Sequence, residues 1–290
     1  MEKVWGDKKA IIFFLFPSFI ILAVIIIMPI VMSSYYSLLD WDGFGKGEFI
    51  GLENYIDLFK DKAFVKSVVN SLIFAFTSVM IQLPISLFLA LLISKGVKFE
   101  RFFVTVYFLP VIMATVVIGQ LWMKIYHPEY GLLNTFLRAV GLDSLTREWL
   151  GSPKTALWAS VVPVLWQYIG YHMLLMYAGI KSISTDVFEA AKIDGASWSN
   201  TCFHITIPML KPILKVCVTF AVVGALKVFD LVFVLTRGGP ARASEVTSTL
   251  MVETIFKSNR YGYGSAMAIF VVIECLVLYF IIGRIFKEEV

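Results

Sequence analysis

The chain has 290 residues, of which 59% are hydrophobic and only 16% are charged, and its formal net charge is +4. A soluble domain is about half apolar and about a quarter charged, so this composition excludes a soluble globular fold. It also excludes disorder, collagen, a coiled coil and a disulfide scaffold, and the small net charge gives no nucleic-acid footprint. We therefore predict an integral membrane protein.

Six apolar stretches are long enough to cross a membrane as helices. A spanning helix needs about 20 mostly apolar residues, whereas strands of a membrane barrel alternate over about ten. We predict an all-α polytopic membrane protein in which the whole chain, 1–290, is one transmembrane domain. The six spans are expected at about residues 10–39, 67–94, 102–126, 155–180, 213–236 and 261–283.

The distribution of basic residues predicts the orientation. The short loop between the second and third spans carries Lys95, Lys98 and Arg101, and short loops dominate the positive-inside rule. The segment before the first span adds Lys3 and its neighbouring lysines. We therefore expect both termini and the long loop at residues 181–212 to be cytoplasmic.

The sequence lacks the signatures of an enzyme. No phosphate-binding loop, dinucleotide fingerprint or metalloprotease motif is present. The cysteines Cys202, Cys217 and Cys275 have no paired spacing, and the three histidines lie in three separate segments. We expect no catalytic residue, no metal and no cofactor on this chain, so an energy-coupled function would need an ATPase on another chain.

The cytoplasmic loop at residues 181–212 has the pattern of two short helices. Asp186 and Glu189 have the spacing of a capping box, and Gly195 suits the left-handed position after a helix end. A second helix, around residues 199–206, is expected to end before Pro208. The loop is either an ordinary packed segment or a docking element, since a small apolar face flanked by aromatic residues fits a partner's groove.

Four segments of the sequence carry a recognisable pattern. The loop contains Glu189-Ala190-Ala191, Asp194-Gly195-Ala196 and Ile207-Pro208, and the other three segments are Gly51–Tyr55, Pro128–Asn134 and Phe229–Leu231. The loop resembles the EAA loop of binding-protein-dependent ABC importer permeases. The three other segments resemble permeases of the carbohydrate-uptake type, which include maltose, lactose and glycerol-3-phosphate permeases.

The resemblance implies a permease subunit in a prokaryotic cell membrane that translocates a mono- or oligosaccharide. It implies four kinds of partner: a second permease subunit, two cytoplasmic ATPase subunits that hold ATP and magnesium, an extracellular solute-binding protein, and the lipid bilayer. The loop would couple ATP hydrolysis to transport through Glu189, Ala190, Ala191, Asp194, Gly195, Ala196 and Pro208.

The resemblance also implies a substrate pathway on the fourth and fifth spans. The candidates are Trp166, Gln167, Tyr168 and Tyr171 on the fourth span, and Gly224, Ala225, Lys227 and Val228 on the fifth. Sugars favour such a mixture of aromatic faces, amides and hydroxyls, although packing between helices is an equal alternative. The small residues of the fifth span depart from maltose-type permeases, which have polar side chains there.

Three other features of the spans carry separate expectations. Lys227 and Asp230, three residues apart, could neutralise each other, and Glu274 is expected to have a partner. Gln82 and Pro84 are expected to shape the second span rather than to touch substrate.

The alternative function is a self-sufficient secondary transporter or channel. Such a protein is expected to show an internal inverted repeat and interrupted helices. The sequence shows no convincing repeat, and an EAA loop would have no purpose there. A membrane-embedded enzyme would need a cluster of catalytic polar residues, which is missing.

Overall fold

The computed structural model describes residues 8–287, with side chains from residue 13 onward, and this part of the chain is mostly helical. Lys3, which contributed to the predicted orientation, lies outside the described residues. The helices are α1 (residues 8–36), α2 (Glu53–Lys60), α3 (Lys62–Ser94), α4 (Glu100–Ile112), α5 (Thr115–Ile125), α6 (Leu132–Ala139), α7 (Ala156–Lys181), α8 (Thr185–Ile193), α9 (residues 198–209), α10 (Lys211–Leu226), α11 (Asp230–Leu235), α12 (Thr247–Phe256) and α13 (Tyr261–Ile285).

Within the described residues 8–287, four helical segments are long and apolar enough to cross a membrane. They are Phe13–Tyr36, Lys62–Ser94, Lys211–Leu235 and Tyr261–Ile285. Helix α7 is also long, with 26 residues, but Gln167, Tyr168 and His172 make its centre more polar. The protein is therefore a membrane protein with several apolar helices.

The stretch predicted as a third span, residues 102–126, differs from the single continuous helix that we expected. Helices α4 and α5 are bent by 97° at a break between Ile112 and Thr115. Met113 and Ala114 have the extended ψ angles of 143° and 131°. An apolar composition indicates a membrane environment but does not report whether the helix is continuous, so the break was not predicted.

Three helices contain a wide turn closed by a hydrogen bond from residue i to residue i−5. A proline cannot donate a backbone hydrogen bond, and its ring clashes with the carbonyl four residues earlier. In each case the carbonyl four residues before the proline lies at the centre of the wide turn. The wider turn leaves room between this carbonyl and the proline ring, so the helix continues past the proline. The wide turns are Ala23–Ile27 before Pro29, Ser78–Gln82 before Pro84, and Cys202–Thr206 before Pro208.

The chain divides into two compact units. The first comprises residues 1–62 and 251–272, and it contains a short antiparallel hairpin of β1 (Leu39–Asp40) and β2 (Glu48–Phe49). Asn54 fixes this hairpin to the end of α1, because its amide donates hydrogen bonds of 2.9 Å to the carbonyls of Ser37 and Leu39. The Gly51–Tyr55 motif thus serves a structural role here.

The second unit comprises residues 63–250 and 273–290, and α7 lies at its centre against α3 and α4. The crossing of α7 and α4 is a backbone-to-backbone contact at Gly170. A Cβ atom added at this glycine would lie 1.8 Å from the carbonyl oxygen of Tyr107. Any larger side chain at this position would therefore force the two helices apart.

The close crossing at Gly170 gives a testable stability prediction. Gly170→Ala is expected to lower the melting temperature of the purified transporter in detergent, because overpacking costs about 1–3 kcal/mol. Gly283→Ala is the matched control, since nothing lies within 4 Å of the added Cβ in helix α13. Equal melting temperatures for the two variants would contradict the crossing described here.

Candidate functional site

The loop at residues 181–212 begins with a capped helix, but the cap is not the predicted one. Ser184 is the N-cap of α8, and its hydroxyl accepts a hydrogen bond from the backbone N–H of Asp186 at 3.3 Å. Asp186 is therefore the second residue of the helix, and Glu189 lies too far along to complete a capping box. The helix begins two residues earlier than expected because serine is itself a strong N-cap residue.

The predicted end of α8 is confirmed. Gly195 has a φ angle of +76°, the left-handed conformation that favours glycine. The N–H of Ala196 bonds the carbonyl of Ala191 at 2.9 Å, and the N–H of Gly195 bonds that of Lys192 at 3.2 Å. This pair of bonds is the Schellman motif, in which a glycine ends the helix and reverses the chain.

Helix α9 extends further than the sequence suggested. It begins at Trp198 and continues to Met209, so it does not end before Pro208. The wide turn at Cys202–Thr206 accommodates the proline, as described above. Burial raises the pKa of the Cys202 thiol, which keeps it uncharged near neutral pH and suits a structural role.

The loop presents a largely exposed surface. Ile193 is 86% exposed, although it is an apolar residue on a short helix. On the other side of the loop, the Lys95 ammonium lies 3.6 Å from the centre of the Trp198 ring. The seven predicted coupling residues divide by exposure: Glu189, Ala190, Asp194, Gly195 and Pro208 are exposed, Ala196 is half-buried and Ala191 is buried.

A cavity of about 420 Å³ lies among α3, α7, α10, the break before Thr115 and the break between α10 and α11 at residues 227–229. Its walls combine amides, hydroxyls, aromatic rings and small residues, with Lys227 and Asp230 as the charged side chains. The lining residues are Ser78, Gln82, Thr115, Val164, Gln167, Tyr168, Tyr171, His172, Phe220, Ala221, Val223, Gly224, Ala225, Lys227, Val228, Phe229, Asp230 and Leu231.

The structure brings together seven of the eight predicted pathway residues in this cavity. They are Gln167, Tyr168, Tyr171, Gly224, Ala225, Lys227 and Val228. Trp166 is not part of the lining, and its ring packs edge-on against Trp122 at 5.8 Å between centroids. It lies one residue before Gln167, and successive residues on a helix point in different directions.

Sequence reasoning missed several lining residues, above all Gln82 and His172. Gln82 was expected to shape the helix, yet its side chain lines the cavity. The sequence did contain a signal for Gln82. A polar side chain inside a membrane helix costs free energy, so its presence indicates a functional site by default. Ser78, four residues before Gln82, strengthens that signal.

The expected pairing of Lys227 with Asp230 does not occur as an ion pair among the described residues. The helix is interrupted between Leu226 and Asp230, so the two side chains lose their helical spacing. Glu274 also differs from expectation: its Oε2 atom is enclosed and finds no hydrogen-bond partner within residues 8–287. In the same range, no group of His, Cys, Asp and Glu side chains could hold a metal ion.

The segment between α5 and α7 is organised by one amide. Asn134 donates to the carbonyls of Pro128 and Arg147, at 3.0 and 2.9 Å, and accepts a bond of 2.8 Å from the indole of Trp149. Asn134 therefore joins the Pro128–Asn134 segment to Arg147 and Trp149 in one hydrogen-bonded network.

Long apolar helices that are broken beside a polar-lined cavity define a membrane transport protein. The particular family is that of the binding-protein-dependent transport system inner membrane components. Residues 62–288 match this family, and the chain belongs to it. The predicted resemblance to ABC importer permeases of the carbohydrate-uptake type is confirmed, and the chain is a transport subunit rather than an enzyme.

Two relatives and one solved structure illustrate the match. The chain is 39% identical over 277 residues to the probable ABC transporter permease protein YurN of Bacillus subtilis (strain 168), with 94% of each protein covered. It is 32% identical over 276 residues to the trehalose/maltose transport system permease protein MalF of Thermococcus litoralis, with 94% of this chain and 92% of MalF covered.

The solved structure is that of a bacterial alginate ABC transporter in complex with an alginate pentasaccharide-bound periplasmic protein. One of its chains superimposes with a TM-score of 0.85 at 23% identity, and the match covers 99% of this chain and 100% of that chain. At this level of identity the likeness concerns the fold.

The cavity gives a second testable prediction, at Gly224. A Cβ added there meets nothing within 4 Å, so Gly224→Ala is expected to keep binding-protein-dependent uptake. Gly224→Leu projects a larger side chain into the cavity and is expected to lower uptake about tenfold, equivalent to about 1.4 kcal/mol, because the side chain takes up space that the solute would need. Uptake assays on membranes with equal amounts of each variant measure this, and full uptake by the leucine variant would contradict a pathway through the cavity.

Proposed function

We propose that this chain is one of two different permease subunits of a prokaryotic ABC importer for a neutral mono- or oligosaccharide. Six spans would cross the membrane: α1, α3, the α4–α5 pair, α7, the α10–α11 pair and α13. Both termini and the loop at residues 181–212 would face the cytoplasm. Two ATPase subunits would hold ATP and magnesium there, and a solute-binding protein would deliver the sugar from outside.

The lining of the 420 Å³ cavity is the observation that carries the choice of substrate. Gln82 and Gln167 supply amides, Tyr168 and Tyr171 supply aromatic faces and hydroxyls, and Gly224 leaves space opposite. An anionic substrate would favour several basic groups, but among the described residues that line the cavity Lys227 is the one cation, and Asp230 accompanies it. Neutral hydroxylated solutes suit this lining, and the trehalose/maltose permease among the relatives supports the same substrate class.

The exposed loop supports the proposed coupling to an ATPase. Helix α8 offers Ala190 and Glu189 to a partner, and its Schellman turn places Asp194 and Gly195 at one exposed end. Small residues allow close approach of a partner's surface, and exposed carboxylates can accept hydrogen bonds from it. Closure of the ATPases would then move this loop and switch the cavity between the two sides of the membrane.

The broken helices do not favour the alternative of a secondary transporter, although such transporters also contain them. Interrupted helices are expected wherever polar backbone lines a transport cavity, whatever the energy source. The energy source is therefore the property to test.

The test is uptake into membrane vesicles that contain the assembled transporter and its binding protein. With radiolabelled maltose, trehalose, glucose, xylose and glycerol 3-phosphate as probes, we expect at least one neutral sugar to accumulate, and only when ATP is present inside. Vesicles that contain ADP instead of ATP are the control. Sugar uptake without ATP, or a preference for glycerol 3-phosphate, would overturn the proposal.

Gly195 tests the coupling loop separately. Gly195→Val is expected to lower the amount of sugar transported per ATP hydrolysed about tenfold, because a left-handed residue with a side chain costs about 1–2 kcal/mol. Gly195→Asn is the matched control, since asparagine tolerates this conformation and the position has open space around it. The ratio of uptake to phosphate release in proteoliposomes measures the effect, and an unchanged ratio for the valine variant would refute this role for the loop.

A further inference from the structure

A second cavity, of about 330 Å³, lies between the ends of two long helices and the loop at residues 181–212. Its walls come from the last turns of α3 and α7 and from helices α8 and α9 of the loop. Helix α3 is long and apolar enough to cross a membrane. The second cavity therefore lies where a spanning helix reaches the membrane surface.

The second cavity carries positive charge. Lys95 and Lys181 line it, and its described lining contains no acidic side chain. The Lys95 ammonium lies 3.6 Å from the centre of the Trp198 ring and forms no ion pair within residues 8–287. The Lys181 ammonium is held by an ion pair of 2.9 Å with Glu100, beside the lining. Two ammonium groups against one carboxylate leave a net positive charge, which suits an anionic ligand.

The lining also offers a hydroxyl and apolar surface. Thr185, the first residue of α8, lines the second cavity, and its hydroxyl makes no hydrogen bond within the described residues. Leu91 and Ile180 are buried and contribute apolar side chains from α3 and α7, and Phe188 contributes its ring from α8. A ligand that fills this space therefore has both an anionic and an apolar part.

The surroundings have the composition of a membrane interface. Trp198 is 44% exposed, and Phe99, four residues after Lys95, is 69% exposed. Lys98 lies next to it, with its ammonium 5.5 Å from the centre of the Phe99 ring. Tryptophan is enriched at membrane surfaces, and basic pockets between the ends of spanning helices bind the headgroups of anionic lipids.

We propose that the second cavity binds the phosphate headgroup of an anionic phospholipid, with Lys95, Lys181 and Thr185 as its contacts and the start of the acyl chains against Leu91 and Ile180. A volume of about 330 Å³ lies at the low end of ligand cavities, which suits a headgroup. The bound headgroup joins the ends of α3 and α7 to the loop at residues 181–212. The inference goes beyond the proposed function, because neither the sugar nor ATP enters it.

The test adds phosphatidylglycerol to the complete transporter in detergent and follows backbone hydrogen exchange at residues 183–201 by mass spectrometry. The lipid is expected to slow exchange there in the wild-type protein. Lys95→Gln is expected to raise the lipid concentration needed about fivefold, equivalent to about 1 kcal/mol, because it removes one cation beside the headgroup. Lys98→Gln is the matched control: it removes the same charge from a side chain outside the lining, and the required concentration is expected to stay unchanged.

Two further probes separate the lipid from other sources of phosphate. Inorganic phosphate lacks acyl chains and phosphatidylcholine lacks a net negative charge, so both are expected to leave exchange unchanged. Protection by inorganic phosphate alone would replace the lipid by a free anion and overturn the proposal. Equal shifts for Lys95→Gln and Lys98→Gln would indicate general surface charge and would overturn it too.

Thr185→Val keeps the test decisive if the lysine variant fails to assemble. It replaces the hydroxyl by a methyl group of similar volume and is expected to weaken protection several-fold. Wild-type protein that phosphatidylglycerol does not protect, or full protection of the valine variant, would contradict the lipid site. Each of these results leaves ATP-driven sugar uptake unaffected, so the lipid site and the proposed function fail separately.

Discussion

Within the hydrocarbon of a membrane, a backbone N–H or C=O without a partner costs several kcal/mol, and the rest of this structure is arranged around that constraint. Uninterrupted helices satisfy it without help, but two helices here are interrupted, at residues 113–114 and 227–229. Both interruptions adjoin the same cavity, since Thr115 begins α5 in its wall and Lys227–Asp230 form part of it. The two breaks and the polar cavity therefore occur together, because backbone groups left free at a break need polar surroundings within a membrane.

Prolines inside three of the helices are accommodated by wide turns. A kink is the usual consequence of a proline inside a helix, but wide turns before Pro29, Pro84 and Pro208 let the helices continue. Such turns change the direction in which later side chains point, and they occur often at functional sites. Here one wide turn lies in the cavity wall and another lies in the loop at residues 181–212, so the same local structure contributes to both regions.

The sequence predicted those features that depend on composition or on a single strong residue. Four of the apolar stretches that we predicted as spans are helices long and apolar enough to cross a membrane. Gly195 predicted the end of α8, because few other residues adopt its left-handed conformation. The sequence did not predict the break near Thr115, because an apolar composition does not report whether a helix is continuous. It also misplaced the start of α8, where Ser184 competed with Asp186 as the cap, and the sequence alone could not weigh the two.

For the cavity, the family resemblance and the residue types indicated eight residues on α7 and α10, and seven of these line it. They failed for Gln82, because proline in the same turn offered a sufficient structural explanation for that stretch. They failed also for Trp166, since neighbouring residues on a helix share a sequence motif without sharing a face. Which side of a membrane helix faces a cavity is decided by tertiary packing, and no local pattern reports it.

The crossing at Gly170 has a mechanical consequence. Where side chains interdigitate, helices can slide past one another by changing rotamers, but at Gly170 the backbone of α7 rests directly against the Tyr107 carbonyl of α4. Such a contact has no side chain that could rearrange, so sliding would require the helices to separate first. We therefore expect α4 and α7 to travel as one rigid body, with the relative motions of a transport cycle at the other faces of α7.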